Sequence, residues 1–170
     1  YAAHSVLASG RWAKIRVPST GIYALTEELI RKAGFGDLSK IRVYGYGGAL
    51  QKEALNGNEL QRLDDLKEVP TCEVGGRRIF HAQGPVSWAS NTATIRIRNP
   101  YSDYGYYFIT EADGAPLKVD SHTLLNTCYP SADDYHTLYE VDSYAWYQGG
   151  RNLFFDDPVS LGEKRTYPLV

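Results

Sequence analysis

The fold class of this chain is indicated by residues 11–34, RWAKIRVPSTGIYALTEELIRKAG. Residues 11–17 alternate between polar or aromatic and small or aliphatic side chains, which is the period of a half-buried strand. The two sides of that strand are Trp12, Lys14 and Arg16 against Ala13, Ile15 and Val17. Pro18 to Gly21 supplies a turn, and residues 21–25 predict a second strand. Two strands this close together indicate a sheet-based domain.

The end of the same stretch predicts a short helix. Thr26 is a good N-cap, and the glutamates that follow it favour the positive first turn. Basic residues close the helix, and Gly34 is suited to the residue just beyond its end. A helix of about two turns is stable only when it packs on something else. We therefore expect it to lie against a sheet.

Further strands are predicted along the rest of the chain, between turns rich in glycine, proline and asparagine. They lie at residues 41–44, 77–82, 92–98, 106–110, 136–141 and 152–155. Residues 49–55 suit a turn of helix, and Asn56-Gly57-Asn58 predicts a tight turn. This spacing predicts a mainly β fold, a two-sheet antiparallel β-sandwich-like domain with one or two short α-helices. The domain is expected to cover residues 1–155, with a linker at Asp156-Asp157-Pro158 and the start of a following domain in residues 156–170.

Composition limits the classes of function. The chain has 170 residues and a net charge of −2, so a basic surface for nucleic acid is not expected. It has no apolar run long enough to span a membrane. It also has 14 tyrosines and no methionine, and the missing methionine indicates a processed product or a cut fragment. Small residues near Tyr1 are of the kind found at signal cleavage points, which favours an exported protein.

Two cysteines are present, Cys72 and Cys128. In an exported protein such a pair is able to form a disulfide, which the chain-entropy model credits with about 4 kcal/mol for a loop of this span. The alternative is two reduced, buried, inert thiols. Sequence alone supplies no geometry that decides between them.

Catalytic and cofactor motifs are weak throughout. Gly45-Tyr46-Gly47-Gly48 follows a strand as a dinucleotide-binding turn would, but Leu50 occupies the position of the required third glycine. We interpret this segment as a tight turn. The histidines lack zinc-motif spacing, and neither cysteine is placed as an activated nucleophile. No catalytic residue, metal site or cofactor is expected in this chain.

The aromatic residues are the remaining signal. Trp88, Tyr101 and Tyr106 belong to a cluster of tyrosines and tryptophans that alternates along predicted strands. Such rings are able to form a face that stacks on sugars or binds a protein. The simpler alternative is that they fill the faces of a β-sandwich, as aromatics do in strands.

Several short strings, in this order and spacing, resemble the N-terminal region of PorU-type proteins, which are gingipain-like cysteine peptidases associated with type IX secretion. The strings are residues 5–15 (SVLASGRWAKI), 21–26 (GIYALT), 43–48 (VYGYGG), 64–69 (DDLKEV), 80–85 (FHAQGP) with Trp88, 99–102 (NPYS) and 106–108 (YYF). The resemblance covers most of residues 5–155. It implies a β-rich module ahead of a caspase-like domain that carries the catalytic His and Cys, so no catalytic residue of the family falls in this chain.

The resemblance also implies partners and a location. The first hypothesis is a non-catalytic accessory or pro-like domain that packs on or regulates the peptidase domain of the same polypeptide, in the periplasm, outer membrane or cell surface of a Gram-negative bacterium. Cargo protein or surface glycan would be further partners. Arg151, near a predicted flexible turn, is suited to an arginine-selective pocket or to a structural salt bridge. The alternatives are a carbohydrate-binding module of a surface protein that uses Trp88 and the tyrosines of residues 101–107, and a β-module with no ligand.

Overall fold

A computed structural model of the chain describes residues 1–88, 96–119 and 156–167, and the backbone of residues 144–145 and 153–154. The chain divides into two compact units, Tyr1–Ser121 and His122–Val170. The predicted boundary after residue 155 stays a prediction.

Two α-helices are described, α1 (Glu27–Lys32) and α2 (Gly57–Leu63), with short 3₁₀ turns at Val6–Ala8 and Leu38–Lys40. The described strands are β1 (Ala13–Val17), β2 (Gly21–Leu25), β3 (Ile41–Tyr44), β4 (Glu68–Val69), β5 (Thr71–Val74), β6 (Arg77–Ala82), β7 (Val86–Trp88), β8 (Arg96–Arg98), β9 (Gly105–Glu111), β10 (Tyr144–Ala145) and β11 (Leu153–Phe154).

A four-stranded antiparallel sheet has the order β1-β9-β3-β4. Its central strand β9 alternates between buried and half-buried side chains, so one face lies on the core and the other faces outward. The register sets Lys14 opposite Phe108 and Arg16 opposite Tyr106 on one side of β9. On the other side, Tyr44 of β3 lies opposite Phe108. The strand nearest the N-terminus therefore pairs with the last long strand of its unit.

A three-stranded antiparallel sheet has the order β2-β6-β5, and β7 with β8 forms a separate hairpin. The Gly75-Gly76 turn joins β5 to β6, and both glycines have positive φ. Residues just after β9 close the free edge of β5, where the Thr71 and Leu117 backbones are joined by a hydrogen bond of 2.9 Å. This sheet thus has one edge partly covered within the unit.

The core of the unit lies between these two sheets and under α1. The fully buried side chains are Val17, Ile30, Ile41, Val43, Ala82 and Ile109, with Leu25, Phe35, Phe80 and Tyr107 almost as deeply buried. The rings of Phe80 and Tyr107, one from each sheet, meet edge to face with centroids 5.7 Å apart. Each fully buried aliphatic side chain of this size contributes about 1.5–3 kcal/mol. The core confirms the predicted mainly β fold built from two antiparallel sheets.

Helix α1 forms where its caps predict. Thr26 Oγ1 accepts a hydrogen bond from Leu29 N at 3.1 Å, and Gly34 adopts a φ of 86° just beyond the helix. Ile30 is the residue that α1 buries completely. This confirms the predicted helix and the expectation that so short a helix packs on the rest of the domain, because Ile30 lies in the core.

Helix α2 corrects two predictions. Asn56-Gly57-Asn58 is not a turn, since Asn56 is the N-cap of α2, and a reciprocal capping box joins Asn56 to Glu59. The preceding residues 49–55 contain no helix. The predicted strand at 92–98 is described over Arg96–Arg98, and the one at 136–141 lies outside the described residues. Leu153–Phe154 confirms strand structure within 152–155.

The described residues of the second unit form a small structure of their own. Strands β10 and β11 pair antiparallel. Further on, Arg165 Nη1 lies 3.1 Å from Asp156 Oδ2, and Tyr167 donates a hydrogen bond to the same oxygen at 3.2 Å.

None of the helices described here has the length and apolar character needed to cross a bilayer.

Candidate functional site

The outer face of the four-stranded sheet brings cations and aromatic rings together. It carries outward side chains of β1, β9 and β3 and of the residues just before β1 and β9, and we name its aromatic residues, together with Lys14 and Arg16, the cationic–aromatic face. Its residues are Trp12, Lys14, Arg16, Tyr44, Tyr104, Tyr106 and Phe108. Their rings are half-buried, whereas both cations are exposed. The face exists because β1 pairs with β9 in a register that sets polar positions beside aromatic ones.

The two cations of this face lie over tyrosine rings. Lys14 Nζ is 3.9 Å from the centroid of the Tyr106 ring, and Arg16 Cζ is 4.6 Å from the centroid of Tyr104. The two tyrosine rings are themselves 6.4 Å apart. Cation–π contacts at exposed sites are worth about 0.5–1 kcal/mol each. They hold both charges in place while leaving them accessible from solvent.

At the other end of the face, the aromatic and charged side chains have partners within the protein. Trp12 and Tyr44 meet edge to face at 5.2 Å, and the indole donates a hydrogen bond to Ser9 O at 2.7 Å. Arg42 Nη1 lies 3.5 Å from Glu68 Oε2, and Arg42 Nη2 donates to Asp113 O at 2.7 Å. Unpaired charge on the cationic–aromatic face is therefore confined to Lys14 and Arg16.

The predicted binding residues are spread over two places. Tyr106 lies in the cationic–aromatic face, with one ring face occupied by Lys14. Trp88, 52% exposed, ends β7 opposite Arg96, whereas Tyr101, 73% exposed, follows the opposite end of the β7–β8 hairpin. The structure therefore gives Trp88 and Tyr101 separate positions. Arg151 lies outside the described residues.

The sequence places Tyr104 within the predicted tyrosine cluster of residues 101–107, but it does not indicate Lys14 or Arg16 as binding residues. The alternation in residues 12–16 and again in residues 104–108 was the available signal, because it predicts two strands that each have a polar or aromatic face. The alternation does not show that these two strands pair with each other, because they are far apart in the sequence.

The glycine-rich turn after β3 is filled by protein. Gly45 and Gly47 have φ values of 145° and 82°, and a Cβ on Gly47 would lie 2.5 Å from Gln83 O. Gly48 N donates to Gln83 O at 3.1 Å, and its carbonyl accepts from Asn99 Nδ2 at 2.9 Å. The segment is thus a packing turn, as interpreted from its missing third glycine, and its backbone donors face neighbouring loops.

The turn belongs to a junction of loops, which we name the glycine junction and define by Gly47, Gly48, Gln83, Gly84 and Gly105. Gln83 N donates to the hydroxyl of Tyr107 at 2.8 Å. Burial raises the pKa of that hydroxyl above its ordinary value, and the hydrogen bond from Gln83 acts in the opposite direction. A Cβ on Gly84 would lie 2.5 Å from the Ser19 carbonyl carbon. The junction joins the two sheets with no space for added side chains.

A groove of about 430 Å³ lies beside β5 and contains Arg78. The Arg78 residue is 7% exposed, and burial lowers the pKa of its guanidinium. Its nitrogens donate to Thr71 Oγ1 and to the carbonyls of Leu38, Ser39 and Ile41. A guanidinium has five N–H donors, and these five contacts use them all. Arg78 therefore ties β6 to the start of β3 and has no donor left for a ligand.

Cys72 and His81 lie on the outward side of the three-stranded sheet, where Cys72 pairs with Ile79 and His81 with Ile22. No hydrogen bond between the Cys72 and His81 side chains is present in the described structure. Cys72 has no disulfide partner among the described residues, and Cys128 lies outside them, so that pairing stays a prediction. Within residues 1–88, 96–119 and 156–167 no group of three or more His, Cys, Asp or Glu is placed to hold a metal ion.

Compared with known proteins, the sequence matches no family model and no curated protein, and the fold matches no solved structure. The resemblance to PorU-type proteins stays a prediction.

Proposed function

We propose that this chain is the non-catalytic N-terminal accessory domain of an exported gingipain-like cysteine peptidase, and that it packs on or regulates the peptidase domain of the same polypeptide. The catalytic His and Cys would belong to that second domain. Cargo protein or a surface glycan would be a further partner, in the periplasm, outer membrane or cell surface of a Gram-negative bacterium.

The observation that carries the proposal is the glycine junction. Four of the strings on which the resemblance rests meet there, through hydrogen bonds from Gly48 N to Gln83 O, from Gln83 N to Tyr107 Oη, and from Asn99 Nδ2 to Gly48 O. Motifs that are separate in sequence but joined in space are expected to recur together as the framework of one module. This supports treating the strings as parts of one module.

The test is the full-length gene product with and without residues 1–155. We expect the deletion to lower the yield of folded peptidase or to change its activity or its choice of cargo. Supplying residues 1–155 as a separate chain is the control, and it should restore part of what is lost. Unchanged folding, activity and cargo choice would contradict the proposal, as would a reading frame that encodes no peptidase domain.

The role proposed for Arg151 is tested in the same full-length protein. If Arg151 enters an arginine-selective pocket of the peptidase domain, Arg151→Ala should raise basal activity on an arginine substrate. Arg151→Lys should do so less, because it keeps the charge. Equal activity in all three proteins would exclude the pocket role for Arg151.

A carbohydrate-binding module is the second candidate, and the exposure of Trp88 and Tyr101 is what favours it. Exposed rings of this kind supply flat apolar surface with a polar edge. Glycan-array binding that is lost in Trp88→Ala and Tyr101→Ala would support the candidate. Binding that survives both changes would reject these residues as its site.

A further inference from the structure

Strand β1 lies at the end of its sheet, and within the described residues it pairs with β9 alone. A strand in that position presents a row of backbone N–H and C=O groups that another extended chain is able to pair with. Proteins commonly block such an edge with a lysine that projects across it. Here the charged ends of Lys14 and Arg16 lie over the rings of Tyr106 and Tyr104 instead. Both charges are therefore held over the sheet and do not shield the β1 edge.

These two cations also lack acidic partners. Lys40, Arg42, Lys52, Arg98 and Arg165 each have a carboxylate oxygen within 3.5 Å. Lys14 and Arg16 form no ion pair with any described residue. Two such edges facing each other would bring four cations together, which is unfavourable for directly opposed strands. A second copy of the chain is therefore a poor occupant of this edge.

We propose that the edge of β1, which has no strand partner within the described residues, binds an acidic, extended peptide segment as an added strand. Alternate residues of a strand share one face, so acidic side chains two residues apart in the segment can face Lys14 and Arg16 together. Main-chain hydrogen bonds to β1 would supply affinity, and the two cations would select acidic sequence. Because the tyrosine rings already hold both side chains in place, less side-chain entropy is lost on binding.

An anionic glycan fits these observations less well. Sugars bind aromatic residues by stacking on an open ring face, and one face of Tyr104 and one of Tyr106 are occupied by cations. A glycan would also leave the backbone groups of the edge without the ladder partners that a strand supplies.

The test uses the 170-residue chain and a fluorescently labelled hexapeptide that alternates Glu and Thr, with binding followed by anisotropy at low salt. We expect saturable binding that weakens as salt is added. A hexapeptide alternating Gln and Thr should bind at least tenfold more weakly. The double change Lys14→Gln with Arg16→Gln should weaken binding of the acidic peptide at least tenfold. The matched control Arg31→Gln with Lys32→Gln removes two exposed charges from α1 and should change it less than twofold.

Backbone chemistry separates strand addition from simple charge attraction. The acidic peptide with alternate amides N-methylated, on either set of positions, keeps its charges but cannot complete a ladder, and we expect at least one of the two peptides to bind at least tenfold more weakly. Equal binding of the parent and both methylated peptides would overturn the proposal, as would no binding of the parent. Displacement of the parent peptide by dextran sulfate at lower concentration would replace the proposal with a glycan site. Circular dichroism confirms that each variant is folded.

This inference concerns the chain by itself and does not rest on the proposed function. Failure of the peptide test would leave the deletion experiment open, and the reverse also holds.

Discussion

The interior of the Tyr1–Ser121 unit and its cationic–aromatic face use the same residue types in opposite ways. Arg78 is buried with all five donors satisfied by oxygens of the protein, whereas Arg16 is exposed and touches a ring. Tyr107 is buried with its hydroxyl accepting from Gln83, whereas its neighbour Tyr106 is half-buried under Lys14. Consecutive residues of a strand point to opposite faces, so the position of a residue in its strand decides whether its side chain is buried or exposed. Interior groups should therefore govern stability and face groups should govern binding.

The largest effect is expected from Arg78→Ala. The change leaves the Ile41 carbonyl and the Thr71 hydroxyl without their Arg78 donor in a buried place. It also removes a donor from the partly buried carbonyls of Leu38 and Ser39, of which Leu38 O keeps its hydrogen bond from Ile41 N. Each group left unsatisfied costs about 1–3 kcal/mol, so we expect a loss of about 3–5 kcal/mol in the free energy of unfolding. Urea denaturation measures it. Arg77→Ala, one residue away and exposed, is the control and should stay within about 0.5 kcal/mol. Equal losses in the two variants would show that burial of Arg78 and its hydrogen bonds do not set its contribution to stability.

A smaller loss is expected from Gly105→Ala. The added Cβ would overlap the carbonyl oxygen of Gln83 in the glycine junction, so the backbone has to shift. Overpacking of this kind costs about 1–3 kcal/mol. Gly57→Ala is the control, since its Cβ would meet nothing within 4 Å and it begins a helix. That change should be neutral or stabilise by up to about 1 kcal/mol. Thermal unfolding of both variants compares them, and matching melting temperatures would contradict the account of the junction.

Tyr107→Phe and Tyr106→Phe remove hydroxyls from two neighbours on opposite faces of β9. Removing the hydroxyl leaves Gln83 N without an acceptor, at a cost of about 1 kcal/mol, whereas Tyr106→Phe should cost less than that. The difference between wild type and Tyr107→Phe should also depend on pH. The pKa of Tyr107 is raised in the folded state, so its contribution is complete below the ordinary phenol pKa of about 10 and is lost as pH rises through the folded value. The denaturant midpoints of wild type and Tyr107→Phe should therefore differ at neutral pH and approach each other above pH 10. A difference that grows with pH would contradict this.

The smallest effect on stability is expected at the cationic–aromatic face. Lys14→Gln and Arg16→Gln each lose one exposed cation–π contact, so each should lower the free energy of unfolding by less than about 1 kcal/mol. Urea denaturation of the single variants tests this. A loss as large as that of Arg78→Ala would show that these cations support the fold instead of being displayed on it.

Local features of this fold could be predicted from the sequence. The alternation of residues 11–17, the N-cap Thr26 and the glycines before residue 77 predict β1, α1 and β6, because their physical causes lie within a few residues. Strand β5 was not predicted. At Asn56 a cap and a turn favour the same residue, and the turn prediction missed a local signal. Glu59, three residues later, has the spacing of a capping box, which favours a helix N-terminus. A tight turn was predicted at Gly45–Gly48, but its close contact with Gly105 could not be, because it depends on how distant loops meet.

The residues of the cationic–aromatic face could be predicted strand by strand, but their meeting on one face could not. Tyr106 was selected for its ring, and Lys14 and Arg16 were placed on the polar side of their strand. Their meeting depends on the β1–β9 register, which no local pattern specifies. Trp88 and Tyr101 are close in the sequence, yet they lie at opposite ends of the hairpin formed by β7 and β8.

The pairing of β1 with β9 also sets an order of assembly. The β5–β6 hairpin is able to form as soon as residue 82 is available, because its strands are joined by two glycines. The first strand of the chain must wait for residues 105–111, since its described partner is made last in that unit. Closing so long a loop is slow compared with forming a hairpin. A chain that emerges N-terminus first would therefore hold Lys14 and Arg16 on an unpaired strand until most of the unit had been made.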